Sequence, residues 1–173
     1  MIAYEYVDKI VQCHLDHSAP DTFVVGKIIW SGDKWFVMKD ILPSGIWNGY
    51  ALYLVSDIVK IIDNSDYLQR IKMLLAHRGI HSDSLNISSH DPLIELLTYV
   101  MNHHRIVSLE LLYSGIRDVC GYITSVHKEV IYIMQIDEFG RYDGRSFISV
   151  DAITRLFFAD EEGQCLEILT KLS

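Results

Sequence analysis

The chain has little from which a covalent, metal-held or nucleotide-binding framework could be built. Its three cysteines, Cys13, Cys120 and Cys165, are an odd number with no Cys-x-x-Cys spacing. That points to reduced, buried thiols and a cytoplasmic setting rather than a disulfide scaffold. Basic residues are scarce, 15 Lys and Arg against 23 Asp and Glu, for a formal charge of −8. A chain so acidic is a poor binder of nucleic-acid backbones, which requires cations to displace condensed counterions. No apolar run approaches the ~20 residues of a membrane span. The opening MIAYEYVDK carries charges and no long apolar stretch, so no secretory signal and no membrane association are expected. GxSxG, P-loop, GxGxxG and HExxH patterns are all missing, so no nucleophile elbow, phosphate cradle or zinc helix is announced. The expectation is a protein that is not an enzyme and that carries no cofactor and no metal.

What is present is a normal complement of core-forming residues. Half of the 173 residues are apolar and 22% are charged, enough for one ordinary domain or two small ones. The second half echoes the first. GKIIWSGDKWFVMKDILPSGIWNGYALYLVSDIVKI, from Gly26, lies without a gap over GYITSVHKEVIYIMQIDEFGRYDGRSFISVDAITRL, from Gly121, at an offset of 95 residues. Gly26/Gly121, Ile28/Ile123, Ile41/Ile136, Gly45/Gly140, Gly49/Gly144 and Ile58/Ile153 are identical. Glycines at turns and isoleucines in the apolar phase read as a tandem duplication, on the scale of a small domain rather than a solenoid repeat.

The flanks extend the pattern. Residues 2–14 place Ile2, Tyr6 and Ile10 four apart, with Ala3, Val7 and Val11 beside them, which predicts a helix with one apolar face. A matching helix over 91–103 carries Leu93, Leu96, Leu97, Val100 and Met101, with Asp91 as cap and Pro92 at the first position. Later helices are read in DYLQRIKMLLAHRG, with Leu68, Ile71 and Leu74 inward and Gly79 as its stop, and in DEEGQCLEILTKL, with Leu166, Ile168, Leu169 and Leu172 inward. Cys120 and Cys165 read as small buried hydrophobes. Between the helices each half is β: IVSLELL, GYITSV, EVIYIMQI, SFISV and AITRLFF in the second. Five short strands after a helix suit a small, strongly bent barrel without exposed edges. The expected fold is therefore α+β, mainly β. It has two tandem helix-plus-five-stranded SH3-like barrel units with short C-terminal helices, over 1–78 and 91–173, joined by a polar linker at 79–90.

The order of a helix, RIVSLELLYSGIRDVCGYITSVHKEVIYIMQI and ISVDAITRLFF resembles the Sm/LSm family, which includes bacterial Sm-like RNA chaperones. The likeness covers about 91–158 and, through the repeat, more loosely 2–63. It implies a small barrel and, as an alternative function, RNA binding. The family's RNA-contacting loops are basic or contain Asn, whereas the matching positions are Val55-Ser56-Asp57 and Val150-Asp151-Ala152. The primary expectation is instead a non-enzymatic binding or adaptor protein with a protein partner. Its charge suits an acidic inhibitor, of the immunity type, that engages a basic protein. No oligomeric state follows.

The loop DEFGRYDGR, 137–145, superficially suggests Ca²⁺, but Phe139 and Arg141 stand where alternate oxygen ligands belong. Its counterpart ILPSGIWNGY keeps the glycines and not the carboxylates, so the loop reads as a hairpin turn closed by Asn48-Gly49 or Asp143-Gly144. His77 and His81 are four apart, yet Gly79 between them ends the helix, so these histidines are not read as ligands. Aromatic and basic side chains at the two tips remain as binding candidates: Trp47 and Tyr50 in the first half, and Phe139, Arg141, Tyr142 and Arg145 in the second.

Overall fold

The computed structural model describes residues 3–78 and 85–172. Its first strand sits where a helix was expected. Residues Ala3–Tyr6 form a single helical turn, Asp8 adopts φ 67°, and the chain then extends as β1, Ile10–His14. The spacing of Tyr6 and Ile10 is helical, but every residue from Val11 to His14 is buried. Burial on both faces of successive residues is a strand property, and β1 satisfies its backbone against two neighbours. These are β2, Val24–Ser31, through Val11↔Gly26, and β5, Lys60–Ile62, through Cys13↔Ile61. Ladder bonding outweighs helical spacing here.

The first compact unit, Met1–Ser88, adds β3 (Trp35–Ile41), β4 (Trp47–Leu54) and helix α1 (Asp66–Arg78). Its strands pair in the order β5-β1-β2-β3-β4. The second, Ser89–Ser173, begins with helix α2 (Pro92–Asn102) and continues through β6 (Ile106–Leu111), β7 (Val119–Val126), β8 (Val130–Ile136), β9 (Tyr142–Ser149), β10 (Ile153–Phe158) and helix α3 (Glu161–Leu172). Its order is β10-β6-β7-β8-β9. In each unit the strands pair antiparallel in an open order, ended by β5 and β4 in the first and by β10 and β9 in the second. The two closed five-stranded barrels expected from the sequence are therefore absent. Closure would require the last strand of a unit to ladder with its fourth, and neither β5 with β4 nor β10 with β9 is paired. Among the described residues β9, the end of the second unit's order, ladders with β8 alone.

Within each unit a helix covers the sheet in the same way. In the first, Leu68 and Ile71 of α1 pack with Val25 and Ile41, and Trp47 and Leu75 lie against that cluster. In the second, Leu166 of α3 packs with Ile106 and Ile136. Burial of a Leu or Ile in such a cluster contributes about 1.5–3 kcal/mol. The caps are local: the Ser65 hydroxyl accepts the Leu68 amide at 3.2 Å, Asp91 accepts that of Ile94 at 3.4 Å, and Asp160 accepts that of Gly163 at 3.0 Å. The apolar faces are narrower than their spacing suggested. Ile168 and Leu172 of α3 are exposed, as is Cys165; Cys120 is only half-buried.

The loop glycines act through close approach. A Cβ on Gly45 would lie 2.4 Å from Leu74 Cβ, and one on Gly140 would lie 2.7 Å from Leu169 Cβ. Each β3–β4 or β8–β9 turn is thus seated on the helix that follows. The turns close through Leu42 N to Ile46 O at 2.8 Å and Asp137 N to Arg141 O at 2.9 Å. Asn48-Gly49 and Asp143-Gly144 are not the turn tips. They lie inside β4 and β9 as bulges, where pairing steps from Lys39↔Tyr50 to Ile41↔Trp47 and from Met134↔Arg145 to Ile136↔Tyr142. The positive φ of Gly49 and Gly144 serves the bulge instead of a two-residue hairpin.

Candidate functional site

The six candidates separate by what already holds them. Trp47 and Tyr50 are half-buried around the Lys39 ammonium, 5.0 and 5.1 Å from their ring centroids, and Lys39 is itself buried. This cage is packing, stabilised by a desolvated cation–π pair. Arg141 is engaged as well: its guanidinium lies 4.7 Å from the Phe139 ring and 2.8 Å from Asp137 Oδ2. Asp137 Oδ1 accepts the amides of Phe139 and Arg141, both at 2.9 Å. The Arg141 amide foremost, and then its guanidinium, holds the Asp137 carboxyl below its ordinary range. The acidic loop is a turn organised by its own carboxylate. Tyr142 is exposed beside it.

Arg145 is different. It lines a groove of about 550 Å³ on the outer face of β7–β9 with Thr124, Tyr132, Met134 and Phe147. It has no hydrogen-bond or ion-pair partner among the described residues. Tyr132 and Phe147 stand directly opposite across β8 and β9 and are 47% and 75% exposed.

The most unusual feature carries none of the six. The β6–β7 loop, 112–118, presents Leu112, Tyr113 and Ile116 to solvent at 74, 66 and 65% exposure. Leu112 and Tyr113 hold φ of 51° and 58°, a region that bulky residues avoid. The strain is fixed by bonds on every side. Asp118 Oδ2 accepts the Leu111 amide at 2.8 Å and the Ser114 hydroxyl, whose oxygen accepts the Ile116 amide at 3.3 Å. The Leu112 amide donates to Ala152 O at 2.9 Å and that of Tyr113 to Thr154 Oγ1 at 3.3 Å. Next to Asp118, Arg117 pairs with Asp160 at 2.7 Å and Glu162 at 2.9 Å and lies 4.5 Å from the Phe157 ring centroid. Bonding to Ser114, then to the Leu111 amide, pulls the Asp118 carboxyl below its usual range. Such a loop pays its ordering cost before any partner arrives. In the sequence only Ser-Gly at 114–115 hints at it, as an ordinary turn.

Among the described residues the cysteines and metal-ligand types form no comparable arrangement. Burial, followed by the nearby Asp40 charge, pushes the Cys13 thiol up to about 12, so its thiolate is not populated near neutrality. Burial also raises Cys120. Among the described residues no group of three His, Cys, Asp or Glu is placed to hold a metal. Gly79 and His81 lie outside the described residues. No helix among them is long and apolar enough to cross a membrane. Comparison with protein-family models, with curated proteins and with solved structures finds no match, so the reading of the site rests on its own geometry.

Proposed function

We infer that the protein is a non-enzymatic binding protein whose recognition element is the loop 112–118. The observation that carries this is the pairing of exposure with rigidity: three large apolar side chains stand in solvent, two of them, Leu112 and Tyr113, on backbone held in left-handed φ. Exposed apolar residues cost solubility, and positive φ in Leu and Tyr costs about 1–2 kcal/mol each. A fold that spends both on one loop has a use for the shape. Interface anchors are of this kind, with Tyr and apolar residues at the centre and a preorganised backbone. The charge of −8 favours a basic partner, as an inhibitor or immunity-type protein would meet, by steering encounter.

The test places a photo-crosslinking amino acid at Tyr113 in cells, with Tyr4 as an exposed control in the first unit. One discrete polypeptide adduct at Tyr113 and none at Tyr4 is expected. Equal, diffuse labelling at both positions would remove the reading. With the partner in hand, the association rate falls as salt rises if the charge steers it.

Two proposals concern descent. The same strand order in each unit and the matching Gly45/Leu74 and Gly140/Leu169 contacts support a tandem duplication. The likeness to Sm-like proteins rests on the sequence pattern of residues 91–158. RNA binding, the alternative it implies, is weighed down by the net charge; a low-salt gel shift with single-stranded RNA tests it.

A further inference from the structure

The free edge of β9 invites a separate conclusion, independent of the loop. The Val150 amide donates to Glu129 O at 3.0 Å, which makes Val130 and Ser149 a non-hydrogen-bonded pair of the β8–β9 ladder. By alternation Tyr132 and Phe147 are another such pair, and Met134 and Arg145 a third. The N–H and C=O groups of Arg145, Phe147 and Ser149 therefore point away from β8, towards the open edge. Five residues, Arg145 to Ser149, form a regular stretch bounded by the Asp143-Gly144 bulge and by the turn at Val150. No proline or bulge protects it.

We propose that this edge takes a second copy of the same chain. The two β9 strands run antiparallel about a two-fold axis at Phe147. The register sets Phe147 against Phe147 of the second copy and Arg145 against its Ser149. Each of the three residues exchanges both backbone hydrogen bonds, because each has both groups free. Self-complementarity is what selects a second copy over another protein. The axis also continues the exposed aromatic pair into a row, Tyr132 and Phe147 followed by Phe147 and Tyr132 of the second copy, on one sheet face. Charge does not oppose the pairing: Arg145, the one cation of the stretch, faces Ser149 of the second copy and not another Arg145. An isologous pair of this kind closes on itself and does not grow.

Sedimentation velocity on the full chain, up to roughly 100 µM, reads the assembly directly. Ser149 has φ −64°, a proline-compatible value, so Ser149→Pro deletes an outward N–H while leaving the fold intact. Phe147→Ser removes the ring. A concentration-dependent monomer–dimer equilibrium is expected. Each variant should raise the dissociation constant at least about tenfold, with thermal unfolding unchanged. A wild-type chain that stays monomeric, a dimer indifferent to Ser149→Pro, or growth beyond the dimer would each overturn the proposal. So would a different protein or RNA that needs Phe147 while the chain itself remains single.

Discussion

The Asp118 carboxylate holds the Ser114 hydroxyl at 2.5 Å and the Leu111 amide at 2.8 Å, closing the β6–β7 loop from within. These bonds fix Leu112 and Tyr113 in left-handed φ and keep their side chains in solvent. Asp118→Asn should therefore lower stability by about 0.5–1 kcal/mol, the value of exposed hydrogen bonds to a charged group, and should weaken partner binding more than that. The ionisation gives a pH signature. Asp118 is shifted below its ordinary value of 3.8, so its contribution is complete above that value and fades as pH falls further through the folded-state value. Acid titration of the wild type against Asp118→Asn by thermal melts checks this, with curves that converge in strong acid.

Strain and stability should part company at Leu112. Glycine accepts φ near 51° without the penalty that leucine bears there. Its gain is offset by the larger entropy of the unfolded chain. Leu112→Gly is expected to leave stability unchanged or raise it by up to about 1 kcal/mol, while partner affinity falls. Leu109→Ala, in the buried strand just before the loop, should instead cost about 2–5 kcal/mol. Denaturant midpoints separate the two.

The turn glycines make a graded prediction. Gly140 has φ 76° and no room beside Leu169, whereas Gly144 has φ 101° with nothing within 4 Å of an added Cβ. Gly140→Ala pays for the conformation and for displaced α3, roughly 3 kcal/mol or more, against about 1–2 for Gly144→Ala. Chemical unfolding of both variants gives the order, and the reverse order would deny that the turn is seated on the helix.

Thiol reactivity follows burial. Cys165 is exposed and should react with a disulfide reagent within the mixing phase at pH 8. Cys13, with its thiol pushed up to about 12, should react only on unfolding. A stoichiometric thiol count over time in native and denaturing buffer distinguishes them.

Parts of this architecture are legible in the sequence because local chemistry decides them. Asp91 and Pro92 announce α2, and Gly45 and Gly140 mark turns that need positive φ. β1 is illegible for the opposite reason: Ile10–His14 is a strand because β2 and β5 pair with it from distant parts of the chain, while its spacing is helical. Closure into barrels is likewise a question of what β5 and β9 meet, which no local pattern states. Asn48-Gly49 carries a hairpin signature but meets a partner strand that extends past it, so it becomes a bulge. Trp47 and Tyr50 stand in the sequence as binding candidates, and only the fold shows the Lys39 ammonium over both rings. The loop 112–118 stayed hidden because left-handed Leu and Tyr have no sequence signal; bonds from Asp118 and from the distant Ala152 and Thr154 produce them.

The most direct test is equilibrium binding of the partner cross-linked at position 113 to the wild-type chain and to Tyr113→Ala. Tyr113 has a main-chain bond to Thr154 that the variant keeps, and its ring is mostly in solvent, so folding should be unaffected. If loop 112–118 is the recognition element, the dissociation constant rises at least about thirtyfold, the loss of a hot-spot anchor worth about 2 kcal/mol. An unchanged constant, with the variant folded, would contradict it.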